Sequence, residues 1–241
     1  MSGHVGDLSD LQQQALDQLK DRIQDIWKEE FTDYFLLRWL RAREFDISKA
    51  ESMLRQNQKW RRENNIDSLL ETYKIPEALK PFIPGLLRCL TKEQMLMVSV
   101  AYLEQCAAEG RRQSEKLGRI VGTGTVLGDY EHLSLSQVCS LEVLEFMRKL
   151  IGVYESNYPE TLERCFLVNT PSFFPYAWKL LLPFMSEKTA GKMQIFSYEG
   201  WKPVLFKYVD PSAIPVHWGG QLMGPGDDPE CTHMLPLKDD L

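Results

Sequence analysis

The stretch from Tyr158 to Met185 constrains this chain more than any other part of it. It falls into three pieces. Cys165 to Val168 is a short apolar run of strand type, stopped by Asn169-Thr170-Pro171. Phe173 and Phe174 lead into a helix that starts near Pro175, where proline suits a first turn. That helix carries Tyr176, Ala177, Trp178, Leu180, Leu181, Leu182, Phe184 and Met185, with only Lys179 charged in its body. A helix apolar nearly all round has to be covered on every side. Two covers satisfy this. Either the helix is a central one packed on a sheet, or it faces a greasy ligand or a bilayer surface.

Upstream, helical periodicity dominates. Residues 8–30 read as a helix capped by Ser9, with Leu11, Ala15, Leu19, Ile23, Ile26 and Trp27 in phase. Asp33 is placed to cap a second helix over 34–42. Asp46-Ile47-Ser48 opens a third, in which Ser48 and Glu51 have capping-box spacing. This predicts a three-helix unit. Arg38, Arg41 and Arg43 fall within two turns of it. They form a solvated basic face, their stems covering apolar surface, or one of them pairs with a carboxylate or phosphate.

A proline-marked connection over 75–84 precedes a helix at 91–110. Residues 120–129 read as a strand weakened by Gly122, Gly124 and Gly128. Residues 135–157 read as a helix capped by Ser134 or Ser136, and 194–197 as a last short strand. Helices alternating with strands predict an α/β layered domain with a mostly parallel sheet. Residues 224–241, rich in Gly, Pro and Asp, read as a loose tail.

A chain of 241 residues can bury one good core, or one core plus a small helical domain. Its net charge of −6 argues against a dedicated nucleic-acid binder and leaves room for a local basic patch at a membrane surface. The five cysteines are scattered without a Cys-x-x-Cys pair, which reads as free thiols in a reducing compartment. The first 20 residues are polar and lack the apolar core of a secretory signal. No run reaches the roughly 18 apolar residues of a membrane span. The expectation is a cytoplasmic protein whose membrane contact is peripheral.

Other chemistries find little support. Gly122-Thr-Gly124-Thr-Val-Leu-Gly128 lacks the spacing, the following helix and the Gly-Lys-Ser/Thr of a nucleotide loop. There is no Gly-x-Ser-x-Gly elbow. His4, His132, His217 and His233 are far apart, so no metal or catalytic set is expected.

Tyr158-Pro159-Glu160, the strand ending in Asn169-Thr170-Pro171, Phe173-Phe174, and a helix with Lys179-x-x-x-Pro183-Phe184 together resemble CRAL-TRIO domains, the Sec-fourteen-like lipid-binding and lipid-transfer family. The run from Phe35 to Ala50 resembles the helical N-terminal lobe of the same family. Pro215-Val-x-Trp-Gly-Gly220 resembles its closing motif. The branch most resembled is the animal tocopherol-associated or supernatant protein factor group.

The resemblance implies a helical lobe over 1–75, a lipid-binding lobe over 76–222 and a tail over 223–241. It implies a non-enzymatic carrier with no cofactor beyond one bound lipid, acting as a monomer in transient contact with membranes. Phe173, Phe174, Tyr176, Trp178, Leu181, Leu182, Phe184 and Met185 would line an apolar cavity closed by a movable helix. By motif position, the arginine, glutamate and lysine of phosphoinositide-binding members fall on Arg43, Glu160 and Lys192. Arg43 and Glu160 equally fit a structural ion pair. Asp129 matches the aspartate that ends a central family strand.

The sequence departs from the family in one large respect. Ile83-Pro84-Gly85-Leu86-Leu87-Arg88 joins directly two flanks between which the family carries an extended segment with two strands. This predicts a reduced sheet. It also raises the alternative of a variant deficient in lipid binding that acts through protein interaction or regulation.

Overall fold

A computed structural model describes residues 2–72, 91–138 and 140–231. The connection at 75–84, the Pro84–Gly85 junction, Cys89, Cys139, His233 and the last ten residues of the tail lie outside that set.

The N-terminal lobe is the three-helix unit the periodicity predicts, but its first helix ends at Arg22 and not near residue 30: Ile23 leaves helical geometry and a 3-10 turn, Gln24–Ile26, follows. Helix α1 (Asp10–Arg22) begins in a capping box: Ser9 Oγ accepts from Gln12 N–H at 3.2 Å and Gln12 Oε1 accepts from Ser9 N–H at 2.9 Å. Helix α2 (Asp33–Arg41) is capped by Thr32 rather than Asp33. The threonine already takes the Phe35 N–H, so Asp33 enters the first turn, where its charge suits the helix dipole. Helix α3 (Ile47–Glu63) is capped by Asp46, whose carboxylate accepts from Lys49 N–H at 3.0 Å. The expected Ser48–Glu51 box does not form. Ser48 lies inside the helix, and both side chains face Arg22 instead. Leu16, Leu19, Ile23, Phe31, Leu36, Leu37, Trp39, Leu40 and Leu54 form a core with almost no exposure.

A short helix α4 (Leu69–Thr72) ends the first described segment. Helix α5 (Lys92–Leu117), capped by Thr91, runs a full two turns past its expected end. Gly110 does not break it. That glycine permits close passage of the next segment, since a Cβ there would come within 2.7 Å of the Val121 carbonyl oxygen. The helix stops at Gly118, in a left-handed conformation that glycine adopts at no steric cost.

Among the described residues the sheet has three parallel strands in the order β1 (Gly124–Asp129), β2 (Leu162–Val168), β3 (Met193–Ile195). Val126 pairs with Cys165, and Leu167 with Ile195. The first part of the expected strand, 120–123, is not strand. Val121 N–H is taken by Ser114 Oγ at 2.8 Å, which diverts the chain from the sheet.

Parallel pairing demands long crossovers. The first holds α6 (Leu135–Val138) and α7 (Leu141–Asn157). The single helix expected there divides because Ser140 is extended. Ser134, of the two candidate serines, caps α6. The second crossover holds α8 (Phe174–Leu181), a 3-10 turn at Leu182–Phe184, and α9 (Glu187–Ala190). Beyond β3, α10 (Trp201–Leu205) returns under the sheet.

Strand β2 is central and buried on both faces. Phe166 and Val168 pack on Trp201, Leu205 and Ile214, while Cys165 and Leu167 pack on Phe174. The first half of the tail, 224–231, turns back on the domain, with His217 N–H donating to Pro229 O at 2.9 Å.

Candidate functional site

The apolar helix α8 has two unlike faces. Phe174 and Ala177 are buried, and Phe174 lies between the rings of Tyr130 (5.1 Å between centroids) and Trp178 (6.4 Å). This inner face rests on Cys165, Leu167, Leu133 and Ile195. The outer face is open. Tyr176 is 74% exposed and Leu180 54%, and past the helix Leu182 and Phe184 are also exposed. Phe173, Leu181 and Met185 are half-buried. Both covers offered by the sequence are therefore present in part: sheet core beneath, and uncovered apolar surface above. Val126 of β1 shares a sheet face with its register partner Cys165 and is itself 46% exposed.

The structure does not gather Arg43, Glu160 and Lys192 into one set of contacts. Glu160 sits in a left-handed conformation (φ 59°). Its carboxylate takes Lys188 Nζ at 2.7 Å and faces Arg41 Nε at 3.8 Å. Arg43 donates to the Ala42 carbonyl at 2.8 Å and lines an open groove of about 800 Å3 between α3 and α7. Lys192 donates to the Leu162 carbonyl at 2.5 Å, while its own carbonyl accepts from Cys165 N–H, so it fastens β3 to the start of β2.

The expected Arg43–Glu160 pair is thus replaced by Arg41–Glu160, for a geometric reason. Arg38 and Arg41 are three apart on α2 and share a face. Arg43 lies beyond the helix end, just before Glu44 and Phe45 turn the chain through positive φ. Arg38 donates to Pro159 O at 2.9 Å, and burial pushes its guanidinium below the ordinary arginine range. Arg41 is buried, and its Nε makes no hydrogen bond. Lys188 had no sequence signal beyond lying a few residues past the apolar helix.

Two polar networks hold this region. Tyr158 donates to Glu104 at 2.8 Å, and Arg61 binds the same carboxylate through both terminal nitrogens at 2.8 and 3.1 Å. Burial and the neighbouring Glu104 push the Tyr158 phenol above its ordinary value. At the far end of the sheet Asp129 accepts from Asn169 (3.0 Å), Trp218 (2.8 Å) and the Glu131 backbone (3.0 Å). Burial acts to raise this carboxyl, but the three hydrogen bonds prevail and hold it below the usual range. Burial pushes the Cys165 thiol up to about 11, as suits a packing residue. Among the described residues no group of His, Cys, Asp and Glu is arranged to hold a metal ion, and no helix is long and apolar enough to cross a membrane.

A helical lobe packed on the first crossover helix of a parallel sheet, with an apolar second crossover helix open on one side, defines an α/β protein of the Sec14-like fold. The structure matches the crystal structure of Sfh5 with a TM-score of 0.70 over 84% of each chain, at 19% identity. Residues 80–220 match the CRAL/TRIO domain and residues 15–56 the CRAL/TRIO N-terminal domain. The chain belongs to the CRAL/TRIO family of lipid-binding and lipid-transfer proteins.

A CRAL-TRIO domain-containing protein of Caenorhabditis elegans is 28% identical over 98% of this chain. The chain spans 37% of that relative's length. The alignment runs over 266 residues against the 241 of this chain, so the relative carries additional residues inside the aligned region.

Proposed function

We propose that the chain binds a single hydrophobic lipid beneath α8 and carries it between membranes without catalysis. The observation that supports this is the two-sided α8. Its inner residues rest on the sheet, and its outer residues, Tyr176, Leu180, Leu182 and Phe184, offer apolar contact to a bilayer. Lifting α8 would uncover Phe174 together with the Cys165 and Leu167 side chains beneath it, at a cost of about 1.5–3 kcal/mol for each large apolar side chain. A tail with roughly ten buried methylenes would return roughly 8 kcal/mol by covering the same surface. The family resemblance admits phosphatidylinositol, tocopherol or a similar lipid as that ligand. Glu160, with Arg41 and Lys188 beside it, would face the polar end, and Phe173, Trp178, Leu181 and Met185 the apolar part.

Mass spectrometry of lipids extracted from purified protein tests the reading. One dominant species at about one per chain supports it. A companion test places Leu181→Asp and Phe184→Asp together. Loss of vesicle-to-vesicle transfer by a folded protein is expected, and unchanged transfer would remove α8 from the mechanism.

A second reading is favoured by a specific observation. Among the described residues β1 is the outer strand, and the space between the sheet and α8 is filled by Phe174, Trp178 and Tyr130. A variant without a lipid cavity, acting through a protein partner, would look like this. A thermal melt with and without added lipid separates the two. An upward shift favours the carrier, and no shift in cooperatively folded protein favours the variant.

A further inference from the structure

The groove between α3 and α7 is not part of the lid machinery, since no residue of α8 lines it. Its floor is apolar, made by Met53, Trp60 and Val153, and its rim carries Arg43, Lys49 and Lys149. No carboxylate is among the described residues that line it. In a chain of net charge −6, three cations around one groove stand out against the average surface.

The cations are available. Among the described residues Lys149 and Arg43 make no ion pair, and Arg43 spends one N–H on its neighbour's carbonyl. Lys49 pairs with Asp46 at 3.1 Å, but its side chain is 72% exposed, and such exposed pairs are weak. Hydroxyls of Ser48, Ser52 and Ser156 add donors at the same rim. Ser48 Oγ accepts from Arg22 at 3.2 Å, which leaves its proton for a ligand.

We propose that this groove binds a phosphate monoester, held by Arg43, Lys49 and Lys149, with the esterified group lying on Met53, Trp60 and Val153. A carboxylate offers two oxygens in one plane. A phosphate monoester offers three around a tetrahedral centre, which suits cations arriving from α3, from α7 and from the turn after α2. Charge-assisted bonds of this kind are about twice as strong as neutral ones. The groove is separate from the space beneath α8.

The test uses the full chain with phosphatidylcholine vesicles, with and without phosphatidic acid, and with glycerol phosphate as a soluble probe. Phosphatidylcholine alone reports apolar contact through the lid. The increment due to phosphatidic acid reports the groove. Lys149→Gln is expected to reduce that increment about threefold to tenfold at low salt, Lys49→Gln with Lys149→Gln to remove it, and added salt to weaken it in the parent chain. Lys149→Arg, which keeps the charge, is expected to retain it. Lys116→Gln, exposed at the end of α5, is expected to change nothing. Glycerol phosphate that binds in the parent and not in the double variant, with no vesicle increment, assigns the site to a soluble monoester and supports the proposal. Equal phosphate-dependent binding by parent and double variant, or none by either probe in the parent, overturns it.

Discussion

Lys188 Nζ lies 2.7 Å from Glu160 Oε1, and the other oxygen of the same carboxylate faces Arg41 Nε at 3.8 Å. One side chain thereby joins the helical lobe, the Tyr158-Pro159-Glu160 turn and the short helix α9. The two cations are not equivalent. The Lys188 side chain is 52% exposed and that of Arg41 only 6%.

Removing the carboxylate should therefore matter more than removing the lysine. Glu160→Gln leaves Arg41 buried beside a neutral group, and about 1–3 kcal/mol of stability should be lost. Lys188→Ala gives up a half-exposed pair and should cost less than about 1 kcal/mol. Urea denaturation of both variants checks the order. Equal losses would show that the buried arginine draws nothing from Glu160.

Much of this architecture is legible in the chain. Apolar periodicity gives α1, α2, α3 and α7, and Asn169-Thr170-Pro171 ends β2 where expected. The contacts of Glu160 are not legible, because they depend on where α2 stops. Two consecutive positive-φ residues, Glu44 and Phe45, carry the chain away just after Arg43. Nothing in Arg-Glu-Phe-Asp announces them, since neither glutamate nor phenylalanine favours that conformation. Sequence position therefore selects Arg43, while helix phase selects Arg38 and Arg41. The division of α8 into buried and exposed faces is hidden for a different reason. Its residues are nearly all apolar, so only the packed structure separates Phe174 from Tyr176.

The glycines at 122–128 weaken a strand in sequence terms, yet one of them is required. A Cβ at Gly122 would overlap the hydroxyl and ring of Tyr34 on α2. Gly122→Ala should destabilise the protein by about 1–3 kcal/mol, the usual range for overpacking. Tyr34→Ala in the same chain should recover part of that loss. Thermal melts of the two single variants and the double variant measure the coupling. Additive losses would mean that segment 120–123 does not rest on Tyr34.

Asp129 supplies a pH dependence with a definite sign. Its folded-state carboxyl is held below the ordinary value by Trp218, Asn169 and the Glu131 N–H, against the effect of burial. The unfolded chain takes up the proton first as pH falls. The stabilisation is thus fully present above about pH 5 and declines as pH drops through the ordinary aspartate value near 3.9 and below. Asp129→Asn should cost about 1–3 kcal/mol at neutral pH and should flatten the acid limb of a stability-against-pH curve. An unchanged acid limb would assign that loss to other carboxylates.

The two faces of α8 allow stability and transfer to be separated by mutation. Phe174 is 6% exposed and in ring contact with Tyr130 and Trp178. Phe174→Ala opens a cavity in the core beneath the helix and should cost about 3–5 kcal/mol. Leu180, 54% exposed, contributes little to that core. Leu180→Ser should change stability by less than about 0.5 kcal/mol. If the outer face meets the bilayer, the same substitution should slow lipid transfer between vesicles several-fold, because an apolar group that enters the interface has been removed. Denaturation and a transfer assay on the same two proteins give four numbers. A Leu180→Ser protein with parental stability and parental transfer would show that the exposed face of α8 does not touch the membrane, and would leave its open apolar surface to a protein partner.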